Sequence, residues 1–69
     1  MGGPHAHIFS IKEKGAKHWK LVGYHCEAGD EYPSPSRQRV MEEEVMIHFP
    51  GYDVRYLVTA ESTTVLMMK

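Results

Sequence analysis

The 69-residue sequence predicts a small α+β domain of order β-β-α-β-β, one helix packed on a four-stranded, mainly antiparallel sheet. Three observations lead there. Two runs rich in β-branched and aromatic residues flank the turn signal Lys14-Gly15-Ala16. A Ser34-Pro35 pair heads a series of good helix formers that stops at Pro50-Gly51. Two more apolar runs, 54–59 and 65–68, follow it. The whole chain, 1–69, reads as one domain, with residues 1–5 expected as a flexible tail.

The first hairpin comes from residues 5–12 and 18–26, where strand-favouring side chains dominate. A register pairing Ile11 with Trp19 and Phe9 with Leu21 would set His7 opposite Gly23 and His5 opposite His25. Residues 27–34, with Gly29, Asp30 and Pro33, read as a loop. Ser34 is placed to accept a bond from a free backbone N–H, and Pro35 suits the first helical position, where no N–H is needed. The helix is expected over 36–49, since Arg37, Gln38, Arg39, Met41 and Glu42 to Met46 mostly favour it. A strand competes there, because Met41, Val45, Ile47 and Phe49 also fit a two-residue alternation. Five strands in place of four would make a small five-stranded β-barrel, the alternative fold.

Alternation along the last hairpin puts Val54, Tyr56, Val58, Val65 and Met67 on one face and Leu57, Leu66 and Met68 on the other. One helix shields one face. The second face needs a cover, and a two-fold copy of the same chain would supply it, so a homodimer is expected. A core this small, without a disulfide, also gains from association.

Composition narrows the function classes. With 42% hydrophobic and 25% charged residues the chain is of globular type. Its single cysteine, Cys26, cannot close an internal disulfide, which fits a reducing, cytoplasmic setting. The longest apolar run, 65–68, is far short of the roughly 20 residues that span a bilayer, so no membrane association is expected. The opening Met-Gly-Gly-Pro-His-Ala-His has neither the basic-then-apolar pattern of a secretory signal nor, with Ala6, the residue favoured for myristoylation at Gly2.

Five histidines are the one compositional excess. In the register above His5, His7 and His25 share a side, and Glu44 and His48, four apart, share a helix face. Such a set could ligate zinc, nickel or copper, yet its spacing has little discrimination, and the plainer reading places His5 and His7 in a mobile tail. No cofactor is expected. Cys26 and His25 are strand neighbours and point to opposite faces, a poor catalytic dyad. No phosphate-cradling glycine motif occurs, and Glu42-Glu43-Glu44 reads as a solvated helix face, so the chain is not expected to be an enzyme.

Lys12, Lys14, Lys17 and Lys20 surround Trp19 with only Glu13 against them, a pattern sufficient for weak nucleic-acid binding. Against it, the chain's single tryptophan is expected in the core. The leading expectation is a non-catalytic protein-binding or accessory module. Tyr32 and Tyr52 are its surface candidates beside Leu57, Leu66 and Met68, and an acidic loop over 27–36 suits a basic partner.

Overall fold

The computed structural model describes residues 5–61. Three strands, β1 (His5–Glu13), β2 (Lys20–His25) and β3 (Tyr52–Glu61), form one open antiparallel sheet in the order β2-β1-β3, and α1 (Pro35–His48) packs on one face. The α+β character matches the expectation, but the four-stranded sheet does not, and neither does the closed barrel. β3 runs unbroken for ten residues and pairs with β1, so the reversal expected near Glu61 does not interrupt it. The strand expected over 65–68, with Leu66 and Met68, lies outside the described residues.

β1 takes the centre because its side chains suit burial on both faces. From Ala6 to Ile11 every residue is buried, and charge returns only at Lys12 and Glu13. Phe9 and Ile11 meet Val22 of β2 and Met41 and Val45 of the helix in the main core, fringed by Tyr24, Phe49, Tyr52, Val54 and Tyr56. Phe9 stands edge-on to both Tyr24 and Tyr56, with ring centroids 5.9 and 5.4 Å away, a favourable aromatic geometry.

The hairpin register is one residue off the expected one. Phe9 pairs with Val22 and Ile11 with Lys20, so Val22 and Tyr24 face the helix while Leu21 turns to the opposite side. A slip of one residue exchanges the faces of the whole strand. Trp19 goes with Leu21. It is 43% exposed and outside the core, contrary to expectation. Gly15, at φ +87°, makes the intervening turn in a backbone region that L side chains rarely enter.

The helix begins as its sequence predicts. Ser34 caps it through Oγ, which accepts from the Arg37 N–H at 3.2 Å, and Pro35 follows. Met41 and Val45 are buried while Ile47 is well exposed, which excludes the competing two-residue alternation. Gly51, at φ +85°, turns the chain back into β3.

β3 carries an irregularity that alternation alone does not anticipate. Ile8 pairs with Val58 and Phe9 with Tyr56, leaving Leu57 as an extra residue in a bulge. Beyond it the strand is rephased. Val58 leaves the helix-facing side on which Val54 and Tyr56 were expected to keep it, and Thr59 arrives there opposite His7.

Candidate functional site

Two concavities lie on either side of the polar chain that this bulge creates. The first is a shallow groove of about 300 Å³ along β3, between Leu57 and Val58 on the strand and Tyr32, Pro33 and Gln38 at the entry to the helix. Tyr32 is 96% exposed, and Leu57 and Val58 are about half exposed. The loop behind Tyr32 is anchored. Gln38 Nε2 donates to the Pro33 carbonyl at 3.0 Å, and Arg37 donates to Asp30 at 3.1 Å. Glu31 adds a carboxylate to the rim. The structure thus brings together Tyr32 and Leu57, two of the surface candidates read from the sequence. Tyr52 is elsewhere, packed on Phe49 at the fringe of the core.

Strand addition along this edge is obstructed. Glu42 reaches from the helix to accept the Tyr56 backbone N–H at 2.9 Å, and the bulge breaks the regular ladder beside it. Glu42 therefore departs from the solvated role expected of the Glu42-Glu43-Glu44 run. Recognition in the groove falls to side chains.

The second concavity is a cleft of about 240 Å³ on the helix-facing side, towards β2. Phe9 and Met41 make its apolar floor, Tyr24 and Glu44 stand on one wall, and the Asp30–Arg37 ion pair closes the loop side. His7 lies at the inner end, 4% exposed. Its Nδ1 is 3.1 Å from Thr59 Oγ1, which is 2.6 Å from the Tyr56 hydroxyl. Withdrawal from water pushes the His7 pKa below its usual 6.5, with Arg37 assisting and the carboxylate of Asp30 opposing, so the ring is neutral near pH 7. Burial, helped by Glu44, raises Tyr24 above the ordinary phenol value.

Of the five metal candidates, His7, His25 and Glu44 line this one cleft, while His5 and His48 are not among its lining residues. His7 is bound to Thr59, His48 sets its ring against Tyr24 at 5.8 Å, and the register slip moves His25 opposite Ala6 instead of His5. His5 begins β1 opposite Glu61, so neither it nor the buried His7 belongs to a tail. Glu44 lines the cleft. Among the described residues no group of three or more His, Cys, Asp or Glu side chains is placed to hold a metal ion. The Cys26 thiol is pushed up by burial and by Glu31, Asp30 and Glu27, which keeps it protonated and weakly nucleophilic.

The hairpin tip presents the third feature. Lys12 Nζ and the Arg55 guanidinium each lie 5.4 Å from the centroid of Trp19, on the face away from the helix. Lys14 approaches Asp53 at 3.9 Å with both side chains largely solvated, and Lys17 and Lys20 are exposed. The basic tip and the acidic 27–31 loop occupy opposite ends of the hairpin.

Comparisons with protein-family models, curated proteins and solved structures found no match. No helix among the described residues is long and apolar enough to cross a membrane. Thr59 and Arg37 were not singled out for the cleft by sequence reasoning. Thr59 reaches His7 only through the bulge, which leaves no mark in the hydrophobic pattern, whereas an acidic loop seven residues before an arginine was a usable signal for Asp30–Arg37.

Proposed function

We propose that this chain is a non-catalytic protein-binding module whose docking surface is the groove between Tyr32 and Leu57–Val58. The observation that carries it is the juxtaposition of a fully presented aromatic ring with two half-exposed aliphatic side chains on an anchored framework. Tyrosines are enriched among the few residues that carry most of the binding energy at protein interfaces. Glu31 on the rim favours a partner segment in which an apolar side chain is flanked by lysine or arginine. Two copies associate through the helix-free face, where Leu21 and Trp19 stay partly exposed. With its lone, protonated cysteine the module suits a reducing, cytoplasmic setting.

The test is affinity capture from the native host with three baits: the unaltered chain, Leu57→Glu, and Ile47→Glu as an exposed apolar control on the helix. A partner retained by the first and third baits and lost by the second supports the groove. Equal capture by all three, or loss with Ile47→Glu alone, refutes it. Light scattering tests the dimer, and a monomer at high micromolar concentration would remove that part.

A second reading draws support from Trp19, which is accessible between two cations instead of buried. Stacking on a base with Lys12 and Arg55 at the phosphates would make the tip a weak single-strand nucleic-acid binder. Salt-sensitive oligonucleotide binding that disappears in Trp19→Ala and in a Lys14, Lys17 and Lys20 to Glu variant would favour it.

A further inference from the structure

We propose that the cleft beneath His7 is a binding site for a small organic monocation, a primary ammonium group carried on a short aromatic or apolar body. His7 is more than nine-tenths buried, and among the described residues its hydrogen-bond partner is Thr59, at Nδ1. Among the described residues no buried side-chain nitrogen or oxygen is left without a partner, so the remaining ring nitrogen is not sealed in protein and opens on the cleft it lines. The Tyr24 hydroxyl likewise has no hydrogen bond among the described residues, and Tyr24 borders the same space. Polar groups that open on a cleft in this way take their hydrogen bonds from water or from a ligand.

The charge of the lining sets the sign of that ligand. Asp30 pairs with Arg37 at 3.1 Å, so the remaining acidic groups of the lining are the exposed carboxylates of Glu44 and Glu27, beside His25 and the neutral imidazole of His7. An anion is repelled there. A cation gains from Glu44, from the face of the Tyr24 ring and from the His7 imidazole in the tautomer that donates Nδ1–H to Thr59. Phe9 and Met41 supply the floor for an apolar body. The volume of about 240 Å³, the share of roughly eight liquid waters, limits the ligand to one ring or a short chain. This site is separate from the groove at Leu57.

Benzylammonium is the probe, with benzyl alcohol and benzoate as its neutral and anionic counterparts, followed on the full chain by amide and imidazole NMR shifts. Benzylammonium should give saturable shifts at His7 and Tyr24 with a millimolar dissociation constant. Benzyl alcohol should bind about tenfold more weakly and benzoate not measurably. Glu44→Gln, at an exposed helix position, should weaken benzylammonium about tenfold without lowering the melting temperature, while Glu43→Gln and Leu57→Glu leave it unchanged. Comparable binding of all three probes, equal losses in Glu43→Gln and Glu44→Gln, or no saturable shift at His7 and Tyr24 would overturn the proposal.

Discussion

Replacing Val22 by alanine removes two carbon atoms from a side chain that is 1% exposed and locked between Phe9, Ile11 and the helix. At about 0.8 kcal/mol per buried methylene, plus a term for a void that a sheet backbone cannot collapse, the cost is about 2–3 kcal/mol. A chain of this length has roughly 3–10 kcal/mol of stability in all, so the change is a large fraction of it. In a domain of this size each kcal/mol moves the midpoint by about 4–8 °C, and the melting temperature should fall by about 8–24 °C. Leu21→Ala deletes three carbons from the adjacent residue, which is 45% exposed on the other face, and should cost no more than about 1 kcal/mol. Urea and thermal unfolding of both variants, followed by far-UV circular dichroism, make the comparison. If Leu21→Ala proves the more damaging, the hairpin is paired one residue away from the register described, and Phe9 faces Leu21.

His7 makes stability depend on pH. Its folded pKa lies below the ordinary 6.5, so the unfolded chain binds the proton more readily; the stabilisation is complete above 6.5 and is lost as pH falls toward the depressed value. Urea midpoints should therefore decline through that interval, and an imidazole titration at or above 6.5 would contradict the burial argument. Ser34→Ala, which deletes the cap on the Arg37 N–H, should cost about 1 kcal/mol, while Ser34→Asp should be nearly neutral in the same melts. Gly51→Ala forces a β-carbon into a positive-φ position with no neighbour within 4 Å, so its cost of about 1–2 kcal/mol is one of backbone conformation and should be no larger in Gly51→Ser. Glu42→Ala frees the Tyr56 N–H at the edge of β3 and should speed amide exchange there, with Glu42→Gln intermediate.

How far the sequence could be read depends on whether the signal was local. The helix was legible because its evidence is contiguous: Ser34-Pro35 at one end, Pro50-Gly51 at the other, helix formers between. The hairpin was legible as a hairpin, but its register was not, since Leu21 and Val22 are equally apolar and either could have faced Phe9. What decided between them is the cover over the strand, a long-range fact. The same limit explains the burial expected of Trp19 and the face expected of Val58. The surface candidates Tyr32 and Leu57 converge on one groove, although 25 positions apart in the chain, for a reason that lies in the folding-back of β3 and not in either residue. Of the histidine cluster, His7 and His25 still line one cleft, while the expected pairing of His5 with His25 failed because it rested on the register directly.

The bulge at Leu57 has an effect that reaches past β3. Tyr56 and Thr59, three apart, would point to opposite sides of a regular strand, yet here their hydroxyls touch, and Thr59 hands the contact on to His7. One supernumerary residue thereby threads a line of exchangeable protons through the sheet's flank, with one terminus at the groove and the other in the cleft. Removing Leu57 would leave Val58 and Thr59 in plain alternation after Tyr56, with Thr59 still opposite His7, so the thread should survive and this is where β3 should be most forgiving of a deletion.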